Sequence, residues 1–327
     1  MALYLGNQKV TPIIREGANL TTKTITENGT YNASSDNADG YSSVTVNVPT
    51  SGLGIPREVS VGGEYEMPTT SFKFALPSNA TKLGSRVLQC ALQYSSGLTE
   101  VDLSSLTTIN HNNAMDMAFC SCNSLTKADL SNLTTISGDK ALHYAFEGCA
   151  SLTDVDLSSL ITLNGSDVMN SAFSECPSLV NIDLSNLTTV SGSSAMVYAF
   201  LSDTSLIEVD LSSLTTVSGD RPLQYVFSHC ENLTDVDLSS LANINSRLAL
   251  NNAFSYCTSL TSLSFPSLNS NSFGSYTNQF NNMLQDVTGC TVHFPSNLQS
   301  VIGSWSDVQN GFGGTNTTVL FDLTATT

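Results

Sequence analysis

Acidic side chains recur in this sequence at a fixed interval, in two columns that could bind a cation or a cationic ligand. The first column repeats every 27 residues, and the second lies two residues earlier in each repeat. Hard cations prefer several carboxylate oxygens, so Asp156, Asp183 and Asp210 form a candidate calcium site. The columns comprise Asp102, Asp129, Asp156, Asp183, Asp210 and Asp237, and Glu100, Lys127, Asp154, Asn181, Glu208 and Asp235.

A structural interpretation of the aspartate column is also open. Like charges directly opposite each other on neighbouring strands are destabilising unless something compensates. The Ser and Thr hydroxyls written beside each aspartate, as in "VDLSS", could provide local hydrogen bonds. The column therefore either binds a cation or is a stacked surface feature relieved by its own neighbours.

Tyrosines share a third column, formed by Tyr144, Tyr198 and Tyr225. An apolar sugar ring face stacks well on an aromatic ring, and the phenol hydroxyl can bond a sugar hydroxyl. The alternative is that each ring covers the neighbouring turn and the core. The other members of this column are Met117, Ser171 and Asn252.

Five cysteines occupy one column, which we interpret as core packing. Equivalent side chains of stacked repeats lie about 4.8 Å apart, farther than the Cβ separation of a disulfide. A straight column also does not converge on a metal as zinc ligands do. The column comprises Cys122, Cys149, Cys176, Cys230 and Cys257. One repeat has Asp203 there, and we expect its carboxylate to accept the backbone N–H of Ser205 or Leu206.

Catalytic chemistry has little support in the sequence. The four histidines fall at different offsets in their repeats, and neither a zinc-protease nor a nucleophile-elbow motif occurs. No converging carboxylate pair can be picked out from acids that the repeat itself encodes. The sequence therefore predicts a protein that is not an enzyme and needs no cofactor, apart from the candidate calcium site.

The repeat itself predicts the elements that position these columns. Leu152, Val155, Leu157 and Leu160 fit the L-x-x-L-x-L spacing of a short strand, with Val155 and Leu157 inward and Asp154 and Asp156 outward. The segment "SGDKALHYAFEGC" has apolar residues at helical spacing. We predict an α/β solenoid of 27-residue leucine-rich repeats, with one short parallel strand and one short helix or helical turn each, and about ten strands.

The phrase A-F-x-x-C-x-S-L, followed by the strand, resembles the BspA-type leucine-rich repeats of bacterial surfaces and phages. The resemblance covers roughly residues 70 to 325. The first repeat is degenerate, with Phe74 and Leu76 in the strand, and the period slips to Val292 and Phe294 near the end.

Four segments follow from these patterns. Residues 1–52 form a small β module, with a hairpin turn at Asn28-Gly29 and a strand containing Val44, Val46 and Val48. A linker and N-terminal cap with the degenerate repeat spans 53–97, regular repeats span 98–265, and irregular repeats and a cap span 266–327. The sequence of the first 50 residues resembles that of tail-associated structural proteins from phages and prophages of gut Gram-positive bacteria.

Composition restricts the partners. The chain of 327 residues has 11 basic and 28 acidic residues, a net charge of −17, which should repel nucleic acid and anionic membranes. No apolar run is long enough for a transmembrane helix, so we expect no membrane insertion. The amino terminus lacks the pattern of a secretory signal peptide.

These features lead us to expect a recognition module of a phage tail or tail-like particle. The solenoid would bind a host cell-surface glycan or protein, and residues 1–52 would attach to other virion tail proteins. Assembly in the bacterial cytoplasm would explain the missing signal peptide, and tail fibres are often trimeric, so the resemblance permits a homo-oligomer. The alternatives are a BspA-like adhesin on the bacterial cell surface and, third, a polysaccharide-degrading tailspike.

Overall fold

The structure, a computed structural model, describes residues 73–76 and 81–324 in full and, before residue 73, only the backbone of short strands. Ten parallel strands, one per repeat, form what we call the strand wall. The predicted solenoid and its strand count are confirmed. The strands are Phe72–Ala75, Leu98–Asp102, Lys127–Asp129, Asp154–Asp156, Asn181–Asp183, Glu208–Asp210, Asp235–Asp237, Ser262–Ser264, Thr291–Pro295 and Thr318–Leu323.

Register on the strand wall places equivalent residues directly beside each other. Asp129 pairs with Asp102 on one side and Asp156 on the other, and Asp210 pairs with Asp183 and Asp237. Alternation follows the prediction, because Val155 and Leu157 are buried while Asp154 is exposed. The degenerate first strand is also confirmed, with Phe74 buried and opposite Val101.

A second set of two-residue strands follows five of the main strands and forms a five-stranded parallel sheet. Thr134 illustrates how this sheet is supported, since its hydroxyl donates to the Thr107 carbonyl at 3.0 Å. The strands are Thr108–Ile109, Thr135–Ile136, Thr162–Leu163, Thr189–Val190 and Thr216–Val217. A further short pair, Gly219–Asp220 and Ser246–Arg247, lies beyond them.

The returning segment of each repeat, which we call the turn wall, consists of turns, so of the two predicted forms the short helix does not occur. No helix occurs between residues 81 and 295 of the described chain. Three residues per repeat, four apart, have a left-handed backbone; in one repeat these are Lys140, Tyr144 and Gly148, with φ of 55°, 51° and 67°. Alternate N–H groups donate to the next repeat, as Leu142 does to the Val168 carbonyl at 2.8 Å. A helix would use those N–H groups within its own turn, so stacking favours successive turns.

The core between the walls is a column of stacked phenylalanines. Phe146 and Phe173 lie 5.2 Å apart at 4° between ring planes, and Phe173 and Phe200 lie 5.6 Å apart at 4°. Backbones of neighbouring repeats also approach closely. A Cβ atom on Gly165 would lie 2.6 Å from the Gly138 carbonyl oxygen, which explains why glycine recurs at this position.

The C-terminal repeats are irregular, as predicted. Val292 and Phe294 are buried in the strand Thr291–Pro295, so the slip in the period is confirmed. Two short α-helices, Gln299–Ile302 and Ser306–Gln309, follow it, flanked by 3₁₀ turns at Ser296–Leu298 and Gly311–Gly313.

Short strands precede the solenoid. Thr22–Ile25 pairs parallel with Ser43–Val46, which in turn pairs parallel with Phe72–Ala75. The predicted hairpin turn at Asn28-Gly29 lies outside the described residues, and the division at residue 52 stays a prediction. The other strands are Tyr4–Leu5, Gln8–Lys9, Pro12–Arg15 and Val59–Ser60.

Candidate binding groove

A groove of about 760 Å³ runs across the strand wall, and acidic side chains line most of it. It spans four neighbouring repeats and combines members of both predicted acidic columns, which the structure brings together on one surface. We call it the acidic groove. Its carboxylates are Asp154, Asp156, Asp183, Glu208, Asp210, Asp235 and Asp237, with Thr153, Ser158, Asn181 and strand backbone between them.

Each aspartate of the first column is held by a turn at the end of its strand. One carboxylate oxygen, Oδ1, accepts the backbone N–H of the serine two residues later, at 2.9 Å for both Asp183 and Asp210. Asp156 also accepts the Ser158 hydroxyl at 2.7 Å. All six members make the backbone bond, which fixes one oxygen and orients the other. Local donors therefore support the stacked charges, mainly through N–H groups instead of hydroxyls.

Ion pairs neutralise one end of the second column. Lys127 contacts Asp154 at 2.9 Å, and Lys73 contacts Glu100 at 2.6 Å. The hydrogen bond to Asp154 is the main cause of the raised pKa of Lys127. Within the described residues, no ion pair involves Glu208 or Asp235. Of the seven groove carboxylates, only Asp154 has an ion-pair partner among the described residues.

Two exposed apolar side chains lie at the edge of the same repeats. The residue before each main strand is usually threonine. Its hydroxyl donates to a backbone carbonyl of the previous repeat, as Thr153 does to Thr126. Val180 and Ile207 replace it in neighbouring repeats and are 39% and 47% exposed. The sequence analysis did not predict this apolar pair, although a change of residue type within a repeated column is visible in the sequence.

The tyrosine column lies on the turn wall, away from the acidic groove. Tyr198 and Tyr225 stack at 5.0 Å and 18°, so each covers one face of the other. Tyr144 instead packs against His143 at 4.1 Å. Ser171, between Tyr144 and Tyr198, is 4% exposed. Burial is the main cause of the raised pKa of Tyr198, ahead of its neighbouring tyrosines.

The five column cysteines are buried and unpaired, as the packing interpretation predicts. Each thiol donates to a backbone carbonyl of the previous repeat, as Cys149 does to Phe119 at 3.2 Å. Burial raises the pKa of Cys122 and Cys257 to about 12. These thiols are protonated hydrogen-bond donors of the core.

Asp203 departs from the prediction made for it. Its Oδ1 accepts the N–H of Cys176 in the previous repeat at 2.8 Å, and neither Ser205 nor Leu206 reaches the side chain. The physical reason is that the Leu206 N–H already donates to the Asp203 backbone carbonyl, at 3.0 Å. Burial raises the pKa of Asp203 well above its usual range.

Polar side chains also pair on the turn wall, away from the acidic groove. His143 bonds Asp116 at 2.9 Å, and Asp116 also accepts from Gln89, on the half-buried turn wall. No group of three or more His, Cys, Asp or Glu side chains in the described chain is arranged to hold a metal ion. Among the same residues, no helix is long and apolar enough to cross a membrane.

Comparison with solved structures gives two distant similarities. A leucine-rich repeat protein from Eubacterium ventriosum aligns with 13% identity over 84% of this chain and 94% of its own, with a TM-score of 0.25. A TLR13–ssRNA13 complex aligns with 15% identity over 79% of this chain and 47% of its own, with a TM-score of 0.18. No curated protein matches.

The family profile gives the assignment. The profile described as "BspA type Leucine rich repeat region" matches six copies, over residues 66–163, 116–247 and 223–304. These segments include the acidic groove, the turn wall and the cysteine column. The chain belongs to the BspA-type leucine-rich repeat family.

Proposed function

We propose that this protein is a non-enzymatic recognition module that binds a cationic group of a cell-surface glycan or protein in the acidic groove. The observation that carries the proposal is a groove of about 760 Å³ with seven carboxylates along one wall. A concave site of this size with several oriented polar groups is the usual form of a binding site.

The turns that orient the aspartates favour specific recognition of a ligand over general charge attraction. The serine N–H at Asp210 and its equivalents tie down one oxygen of each carboxylate before a ligand arrives. Such preorganisation lowers the entropic cost of binding. An ammonium group needs several acceptors at once, and carboxylates on neighbouring repeats offer them at regular spacing.

The biological setting that we propose is a phage tail or tail-like particle, with residues 1–52 joining other tail proteins. The resemblance of that segment to tail-associated proteins supports this setting. A BspA-like adhesin on the bacterial surface is the alternative, and it uses the same groove. Neighbouring genes for tail or baseplate proteins would favour the first, and an in-frame export signal upstream would favour the second.

Binding can be tested with glucosamine oligomers, which carry ammonium groups, against N-acetylated oligomers of the same length. We expect the full chain to bind the first and not the second. Affinity should fall steeply with added salt, because charges at the surface are screened. Equal binding of both oligomers, or of neither, would contradict the proposed ligand class.

A triple variant locates the site. Asp183→Asn, Asp210→Asn and Asp237→Asn together remove three charges, while an amide oxygen can still accept the serine N–H. We expect affinity to fall at least about tenfold, since losing charge-assisted bonds costs 1.4 kcal/mol or more. The matched control is Glu231→Gln, an exposed acid outside the groove lining. Unchanged affinity in the triple variant would refute the groove as the site.

Calcium and catalysis are tested separately. We propose Asp156, Asp183 and Asp210 as the calcium ligands if the column binds a metal, and melting in calcium against chelator checks it. Without a shift in melting temperature, calcium binding is refuted and the structural interpretation of the column stands. Release of reducing sugar from host envelope would favour the tailspike alternative.

A further inference from the structure

Asp203 occupies the position that is cysteine in five other repeats, and its side chain is 0% exposed. One backbone bond of the ordinary turn is kept at this position. The Leu206 N–H donates to the Asp203 carbonyl at 3.0 Å, as the Leu179 N–H donates to the Cys176 carbonyl at 2.9 Å. At this turn, the hydrogen bonds of the carboxylate can be compared with those of a thiol.

Two acceptor oxygens at this position lack hydrogen-bond partners. In the next repeat, Cys230 donates its thiol to the carbonyl of Phe200, 30 residues earlier, at 3.1 Å. The same step back from Asp203 leads to Phe173, whose carbonyl accepts no hydrogen bond within the described residues. Asp203 Oδ2 is buried and also has no partner.

The backbone donor that would normally serve Phe173 has been redirected. In an ordinary repeat, the Cys149 N–H donates to the Phe146 carbonyl at 3.3 Å. The Cys176 N–H donates to Asp203 Oδ1 at 2.8 Å instead. An ionised Asp203 would therefore leave a buried charge beside an unsatisfied carbonyl oxygen, which is very costly.

We propose that Asp203 is held as a neutral carboxylic acid whose Oδ2–H donates to the Phe173 carbonyl, and that this proton makes its repeat the pH-sensitive point of the solenoid. One proton satisfies both unpartnered atoms. It reproduces the donor that a cysteine thiol supplies in the other repeats. Loss of the proton would loosen the turn that leads into Glu208–Asp210, a strand of the acidic groove.

The surroundings of Asp203 favour the neutral form. The titratable groups that face it are the thiols of Cys176 and Cys230, one on each side in the column. Burial is the main cause of the raised pKa of both thiols, so neither carries charge near neutral pH. No lysine, arginine or histidine of the described chain forms an ion pair with Asp203.

The sign of the pH dependence follows from the raised pKa of Asp203. The unfolded chain releases this proton near pH 4, and the folded chain keeps it to higher pH. The stabilisation is complete below the unfolded value and is lost as pH rises towards the folded value. Wild-type protein should therefore become less stable as pH increases above about 4.

The experiment compares wild type with Asp203→Asn, which cannot ionise, in urea unfolding from about pH 5 to about pH 9. We expect the urea midpoint of the wild type to fall as pH rises. The midpoint of Asp203→Asn should fall less, and the difference should correspond to the titration of one proton. Infrared spectra at neutral pH should show the carbonyl stretch of a protonated acid, and this band should be absent from Asp203→Asn.

Two further variants complete the test. Glu231→Gln removes an exposed acid outside the acidic groove and should keep both the wild-type pH slope and the band. Asp203→Cys restores the letter of the other repeats and should behave as Asp203→Asn does, even if the amide variant fails to fold. Absence of the band in wild type, or equal pH slopes in wild type and both Asp203 variants, would overturn the proposal.

Discussion

The strand wall and the turn wall carry the same repeat but are stabilised differently. On the strand wall, ordinary extended backbone exposes one acid on each side of a buried residue, as around Val155. On the turn wall, every fourth residue is left-handed, including bulky residues such as Lys140 and Tyr198. A single copy of that wall would be strained. Hydrogen bonds between stacked repeats compensate, so repetition determines a conformation that local preference opposes.

The largest expected effect concerns the thiols where the two walls meet. Because Cys149 and the other column thiols are buried and protonated, a thiol reagent must wait for unfolding. Their labelling should be at least about a thousandfold slower than in denaturant, following the folded-to-unfolded ratio of an ordinary domain. Mass spectrometry of timed samples measures this rate.

Cys90, which is only half-buried, serves as an internal control and should label earlier than the column. Fast native labelling of Cys149, Cys176 or Cys230 would mean that the junction of the walls opens locally. The core-packing interpretation would then be wrong.

The second prediction tests how closely the repeats stack. Gly165→Ala should destabilise the protein by about 3 kcal/mol, because its new Cβ would lie 2.6 Å from the Gly138 carbonyl oxygen and backbone must move. The matched control is Gly289→Ala, where φ is 76° but no atom lies within 4 Å. That variant should lose only about 1 kcal/mol, from backbone strain. Equal urea midpoints for the two variants would contradict the stacking argument.

The strand wall and the turn wall also differ in how far the sequence could predict their structure. On the strand wall, alternation around Val155 reports burial directly, so the strands, their number and the acidic column were predictable. On the turn wall, the spacing of Ala141, Leu142, Ala145 and Phe146 also fits a helix, and a left-handed Tyr144 leaves no mark in the sequence. Of the left-handed residues in this repeat, only Gly148 has a residue type that suggests such a backbone.

The groove was predictable only in part. The acidic columns are visible in the sequence, as are the lysines that neutralise one end. Which carboxylate oxygen of each aspartate accepts a hydrogen bond, and from which backbone N–H, depends on the turn geometry. The partner of Asp203 lies 27 residues away in the previous repeat, so no local turn rule could identify Cys176.

A third prediction measures the strain on the turn wall. Glu175 is exposed and left-handed, with φ of 59°, at the position that is Gly148 one repeat earlier. Glu175→Gly should stabilise the protein by about 0.5 to 1 kcal/mol, because glycine adopts this conformation freely. Gly148→Ala should destabilise it by about as much.

The control for this pair is Glu175→Ala, which removes the charge but keeps a Cβ atom. It should not gain the stability of Glu175→Gly in urea unfolding. If the two variants were equally stable, charge removal instead of backbone strain would explain the effect.

The smallest expected effect concerns an ion pair between repeats. Arg247 holds Asp220 with two bonds, Nε to Oδ1 at 2.7 Å and Nη2 to Oδ2 at 2.9 Å. The hydrogen bond from Arg247 is the main cause of the lowered pKa of Asp220. Both groups are exposed to solvent, so screening keeps the contribution of this pair to stability small.

Its pH dependence is opposite in sign to that of Asp203. A lowered pKa means that the stabilisation is present above the unfolded value and is lost as pH falls through the folded value. A double-mutant cycle with Arg247→Lys and Asp220→Asn should therefore give a small coupling energy at neutral pH that vanishes in acid. Lysine cannot form the paired bonds, whereas Asp220→Asn also loses the contact with Arg221 at 3.1 Å, so the asparagine variant should lose more stability. A coupling that grew on acidification would show that the two repeats are joined here by contacts other than this charge pair.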